Sequence, residues 1–250
     1  MSGLGAALGV EGGIVCAVGA GGKKSLLYAL AAEAGARTAL TATVMTTRFP
    51  PRLRAQVCVA EPEALAQQVP ALAGARLLAY ARPSAKPGRL AGLEPRQVAA
   101  LHAAGGFRLT LVKADGARMR GIKAPEADEP QLPPGTALLL PVLSIGVLGQ
   151  PLDEATAHRP ERLAAVCGAQ LGQALTPAHL ARLIASEQGA LQHAGDARVV
   201  PVINQVDDPA RRAQAIEVAQ LALSLSPRFD RVALTCLRRG QTHVELLWRR

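Results

Sequence analysis

The segment GIVCAVGAGGKKSLLYAL, residues 13–30, constrains the fold more than any other stretch. Residues 13–18 form a short apolar run that ends in glycines, the composition of a buried parallel strand. Leu26, Leu27 and Leu30 then recur at helical spacing over residues 25–34, and Gly35 can end that helix. Residues 37–43 read as the next strand. Strand, glycine turn, helix and strand make a βαβ unit of about 30 residues.

Further strands are expected at 76–80, 107–114, 137–143, 198–203 and 231–237, with an edge strand at 243–248. Helices are expected over 94–103, 160–167, 177–186 and 209–224. Residues 83–92, rich in Pro, Gly and basic side chains, read as an exposed loop. The proline- and charge-rich stretch 115–135 reads as a long functional loop. Strands alternate with helices throughout, which points to a single α/β domain over residues 1–250 with a loop-rich insertion near 115–160.

A net charge of +9 would on its own point to nucleic acid or an anionic surface. The arginines are scattered, however, and aromatic residues make up 2% of the chain, leaving few platforms for stacked bases. No nucleic-acid partner is expected. Arginine supplies most of the positive charge, so the lysines are informative. Lys23, Lys24, Lys113 and Lys123 all fall in glycine- or acid-marked turns, and only Lys86 lies elsewhere. The four cysteines include no C-x-x-C pair, which argues against zinc or a dithiol site. No basic leader precedes the first apolar stretch, and the longest apolar run is interrupted by Pro141. The expectation is a cytoplasmic protein with no membrane partner.

Backbone amides over residues 19–23 can form a nest for phosphate oxygens, with the following helix adding its N-terminal dipole. Glycine at Gly19, Gly21 and Gly22 lets backbone approach phosphate closely. Lys23 would bridge the outer phosphates. The pattern G-x-x-x-x-G-K-[ST] is not met: Ala17 stands at the first glycine and Lys24 at the hydroxyl. A glycine turn that only packs the helix against its strand is the competing reading. Asp115 ends the strand FRLTLVKAD, where an acid can help hold Mg²⁺ beside such a loop, or can serve turn chemistry alone. Asn204 and Asp207, in PVINQVDD, echo the N-K-x-D element that reads a guanine base, with Gln205 in place of lysine. There the Asp accepts from the base and the Asn buttresses the loop. Asp207 or Asp208 as a helix cap before Pro209 is the alternative.

Taken together, VGAGGKKSLL, TALTATVMT, KADGARMRGIKAPEADEPQLP, GQPLDE, AHRPERL and PVINQVDD resemble the YqeC-type family of selenium-dependent hydroxylase accessory proteins. The resemblance runs in order through most of the chain. It implies a P-loop NTPase-like α/β fold, a mostly parallel sheet flanked by helices on both faces. It implies ATP or GTP as ligand, with Mg²⁺, and a role in maturing selenium-dependent molybdenum hydroxylases, whose enzymes or maturation proteins would be partners. It places Gly22 and Lys23 at phosphate, Asp115 on the metal side, and Asn204 and Asp207 near the base; Gly19, Gly21, Lys24 and Ser25 complete the candidate phosphate site read from the loop itself. Lys23 and Asp115 would be the catalytic pair, with Asp115 and Ser25 at the metal. Lys123, Glu129, His158 and Arg159 fall in matching segments without an evident role. Where the family carries Thr after the loop lysine and Glu before Ala-Asp-Gly, this chain has Lys24 and Lys113. Both changes bring a lysine to the expected Mg²⁺ site. Three outcomes stay open: Lys24 turns aside and Ser25 supplies the hydroxyl, magnesium binds poorly, or an ammonium takes the metal's place. The chain then reads either as a nucleotide-binding protein with slow ATPase or GTPase turnover, or as a binding module that does not cleave its ligand.

Overall fold

The structure is a computed structural model and describes residues 3–238 and 241–249. Strand β1 (Gly13–Gly19) occupies the middle of a ten-stranded sheet. Beside it on one side lie β5 (Leu109–Lys113), β2 (Thr38–Ala42), β4 (Leu77–Ala81) and β3 (Gln56–Val59), in that order. On the other side come β6 (Thr136–Ser144), β7 (Val202–Asn204), β8 (Arg231–Arg238) and β9 (Gln241–Trp248). The tenth strand, Arg198–Val199, pairs with β6. Every pairing is parallel except the terminal β8–β9 hairpin. This is the α/β fold expected from the sequence.

The period-two geometry of a strand sends the apolar residues of β1 to both faces. Ile14, Cys16 and Val18 join one core, and Val15 and Ala17 join the other. Helix α1 (Lys23–Glu33) covers the second face with Leu26, Leu27 and Leu30, beside a short helical turn at Leu4–Ala7. The first face carries α2 (Pro62–Ala71), α3 (Pro95–Ala104), α4 (Pro160–Cys167), α5 (Pro177–Ala185) and α6 (Pro209–Leu225). Each of these five opens on proline at its first position, where the missing N–H would have had no helical partner anyway. Asp208, not Asp207, caps α6, accepting the Arg211 N–H at 2.8 Å. Among the described residues no helix is long and apolar enough to cross a membrane.

Two expectations need adjustment. The run 198–203 is not one strand: it divides at Val200–Pro201, because proline has no N–H for the ladder. Strand β3 and helix α2 fall where no element was expected. The long loop after β5 contains a short strand, Ile122–Lys123, paired in parallel with Ala157–His158. The 83–92 loop is tied down where Arg89–Leu90 pairs antiparallel with Thr46–Thr47.

Because β1 is flanked by β5 and β6, a crevice forms outside the carboxyl ends of these strands, the usual ligand position in such sheets.

Candidate functional site

The loop after β1 turns back toward the protein before it turns outward. Gly19, at φ +84°, donates its N–H to Asp115 Oδ2 at 2.8 Å. Ala20 donates to the Val142 carbonyl at 2.8 Å, and Gly21 to the Arg120 carbonyl at 3.1 Å. These three amides are therefore occupied. Gly22 follows at φ +136°, a conformation open to glycine, and a Cβ there would drive into the Asn204 side-chain amide. Among the described residues no acceptor meets the N–H groups of Gly22, Lys23, Lys24 or Ser25. They are the unsatisfied first turn of α1, and all four residues line the crevice.

Asn204 lies beneath this turn rather than in the crevice wall. Its Nδ2 donates to the Gly21 carbonyl at 2.8 Å, and its Oδ1 accepts the Thr235 hydroxyl at 3.0 Å. It is buried and braces the loop. Asp207 also lies outside the wall, 2.8 Å from Arg238 and 3.4 Å from Arg211. Gln205, between them, does line the crevice and meets the Ser144 hydroxyl.

Lys23 and Asp115 come together as a buried ion pair. Lys23 Nζ lies 2.7 Å from Asp115 Oδ1 and donates to the Gly19 carbonyl. Burial pulls the Lys23 ammonium below the ordinary lysine range, and Asp115 pulls it back. On the other oxygen, Lys123 Nζ stands 3.0 Å from Asp115 Oδ2. Lys123 also reaches Glu129 Oε2 at 2.6 Å and the Gly116 carbonyl at 2.7 Å. Arg159 meets Glu129 at 2.8 Å and Glu126 at 2.8 Å. This chain of charges ties the loop after β5 to the segment before α4. Burial raises the Glu129 carboxyl, but hydrogen bonds from Lys123 and Arg159 outweigh it and hold the group down at about 2. His158, half-buried next to Arg159, is pulled below the ordinary histidine range by burial first and by that guanidinium second.

The crevice encloses a cavity of about 1100 Å³. Among the described residues eight that line it are basic and none is acidic: Lys23, Lys24, Lys86, Arg89, Lys113, Arg118, Arg120 and Arg211. Lys24 Nζ donates to Thr47 Oγ1 at 3.1 Å, and Lys113 Nζ to the Met45 carbonyl at 3.0 Å. Burial, and then the Lys23 charge, bring the Lys113 ammonium down to about 7. Burial and Arg89 lower Lys24 as well. Two half-buried lysines without a carboxylate gain from any anion that enters.

Ser25, exposed at the rim, lines the same cavity, whereas Asp115 does not. The donors present do not fit a magnesium ion between the two. One Asp115 oxygen faces Lys23, the other accepts from Gly19 and faces Lys123, and Lys24 stands at the loop position where a hydroxyl would be needed. Among the described residues no three His, Cys, Asp or Glu side chains converge for a metal.

Sequence reasoning singled out Lys23, Lys24, Lys113 and Asp115 but not Arg89, Arg118, Arg120 or Arg211. For Arg89 the signal lay in the basic loop 83–92 and for Arg118 and Arg120 in the ARMRG stretch, while Arg211, on α6, carried none.

The family model described as YqeC protein matches residues 15–161, more than half of the chain. That span runs from β1 through the glycine turn, Asp115 and the Lys123–Glu129–Arg159 chain. An Escherichia coli (strain K12) protein described as "Uncharacterized protein YqeC" is 28% identical over 183 residues, covering 72% of this chain and 70% of that one. The chain belongs to the YqeC family.

Proposed function

We propose that this protein binds a nucleoside triphosphate, ATP or GTP, through its phosphates, as an accessory protein in the maturation of selenium-dependent molybdenum hydroxylases. The observation that carries the binding step is the cavity wall, with, among the described residues, eight basic side chains, no acid, and four unpartnered amides at the start of α1. Amides and dipole at a helix N-terminus attract phosphate, and lysines and arginines add charge and donors. The volume of about 1100 Å³ leaves room for a nucleoside beyond the phosphates. The maturation role rests on the resemblance carried by the KADGARMRGIKAPEADEPQLP, GQPLDE and AHRPERL stretches.

Binding without turnover is the reading that the geometry supports best. Phosphoryl transfer in phosphate-loop proteins relies on a metal held beside the loop and on a positioned water. Asp115, the acid nearest to the loop, is engaged on both oxygens. Lys23 and the amides of Gly22–Ser25 hold the phosphates in this reading, and Asn204 keeps the turn in shape.

Calorimetric titration of ATP and GTP into the full chain, with and without Mg²⁺, tests the reading, alongside Lys23→Ala checked for folding by circular dichroism. One nucleotide is expected to bind, and Lys23→Ala to weaken it by about tenfold or more, the scale of a lost charge-assisted hydrogen bond. Absence of binding by both nucleotides would sink the reading. Magnesium-stimulated phosphate release would replace the binding role by an NTPase.

A further inference from the structure

We propose that the phosphates are taken up as the metal-free anion, with Lys24 and Lys113 standing in for the magnesium ion. The inference rests on the nucleotide reading above and goes beyond it by naming the ionic species that the site selects.

Three observations support it. First, the two ammonium groups converge on one segment of the cavity wall. Lys24 comes from α1 and reaches Thr47, and Lys113 comes from the end of β5 and reaches Met45 two residues away. Second, among the described residues both donate to neutral oxygens, a hydroxyl and a carbonyl, and neither forms an ion pair with a carboxylate. The paired lysines, Lys23 and Lys123, have carboxylate partners instead. Third, the acid that would share a metal with the phosphates is withdrawn. Asp115 lies outside the cavity wall, between two ammonium groups and the Gly19 amide.

A divalent cation placed on this wall would face two lysine amines and, among the described residues, no carboxylate, whereas an anion there favours the charged form of both. Coulomb repulsion over a few ångströms in a partly dry site then works against it. A metal-free triphosphate carries the opposite charge and finds there the neutralisation that magnesium gives in solution. Binding and magnesium chelation therefore compete for the same phosphate oxygens.

The test is a titration of ATP and of GTP into the full chain, once in excess EDTA and once in saturating Mg²⁺. It is run on the wild type, on Lys24→Thr and on Lys24→Thr with Lys113→Glu, each with a thermal melt to confirm folding. For the wild type, affinity in EDTA is expected to exceed that in Mg²⁺ by about tenfold or more. The double variant is expected to reverse that order, and Lys24→Thr to narrow the gap. Tighter wild-type binding in Mg²⁺ would overturn the inference while leaving the nucleotide reading intact. Equal wild-type affinities would overturn it as well. No binding under either condition would remove the nucleotide reading and this inference together. Should the double variant fail to fold, the wild-type comparison and Lys24→Thr still decide.

Discussion

Lys123 holds Asp115 against the glycine loop after β1: its ammonium stands 3.0 Å from Asp115 Oδ2, with the two side chains 1% and 2% exposed. The same oxygen accepts the Gly19 N–H, so the end of β1, the end of β5 and the strand Ile122–Lys123 meet at one carboxylate. An acid free to take a cation would need that ammonium elsewhere. The loop's shape and its charge balance are thus set by a residue remote from it in sequence.

Replacing Lys123 should therefore destabilise the fold. Lys123→Met leaves Glu129 and Asp115 each short of a cation in a buried site, and breaking such a pair from one side costs about 3–5 kcal/mol. Arg159 and Lys23 remain as partners, which places the loss at the lower end, about 3 kcal/mol. Urea denaturation of wild type and variant measures it. Lys123→Met with Glu129→Gln should recover part of the loss, since the uncompensated charge is gone. A single-variant loss under about 1 kcal/mol would show that the cluster is solvated in practice.

Glu129 makes an acid-dependent contribution to stability. Its folded carboxyl titrates at about 2, below its ordinary 4.5. A depressed carboxyl stabilises the fold above its unfolded value, and that contribution is lost as pH falls through the folded one. The contribution of Glu129 is thus complete above about pH 4.5 and declines toward pH 2. Melting temperatures of wild type and Glu129→Gln should differ most near neutrality and converge as pH falls through that window. Curves that stay parallel across it would refute the assignment.

How much of this was legible in the sequence depended on where the information lay. The β1–α1 unit was readable because everything needed is local: an apolar run, glycines at the turn, and Leu26, Leu27 and Leu30 at helical spacing. Strand β3 and helix α2 were not. Val57 and Val59 point outward on the sheet's last strand, so β3 lacks the inward alternation that marks a strand, and Pro70 interrupts α2 near its end. At the site, Lys23 and Asp115 stood out as motif residues. The partners of Lys123, Glu129 and Arg159 did not, because a salt bridge between residues 30 apart leaves no trace in periodicity. The NQVD stretch carried the reverse lesson. Asn204 drew attention as the buttress of a base-reading loop, and the fold places it under Gly21 and Gly22, away from the cavity wall.

Ser25→Ala separates two ways of holding phosphate. The Ser25 side chain is exposed at the rim, with no hydrogen bond among the described residues, while its N–H is one of the four unpartnered amides. Removal of the hydroxyl should change stability by no more than about 0.5 kcal/mol, as for most surface substitutions. Nucleotide affinity in EDTA should be unchanged too, because the amide survives. A loss of tenfold or more, about 1.4 kcal/mol, would assign the hydroxyl to the ligand after all.

Gly22 and Asn204 should behave as a coupled pair. Asn204→Ala removes the donor to the Gly21 carbonyl and leaves the buried Thr235 hydroxyl without its acceptor, a loss of about 1–3 kcal/mol. Gly22→Ala forces a methyl group against the Asn204 amide and also strains a backbone held at φ +136°. Combining the two relieves the collision but not the strain, so the double variant should be more stable than the summed single losses predict. It should still fall below Asn204→Ala alone, by the remaining backbone strain of about 1–3 kcal/mol. A denaturation cycle over the four proteins reads both terms. Simple additivity would mean that Asn204 does not touch the turn in solution, and the account of how this loop keeps its four amides free would have to change.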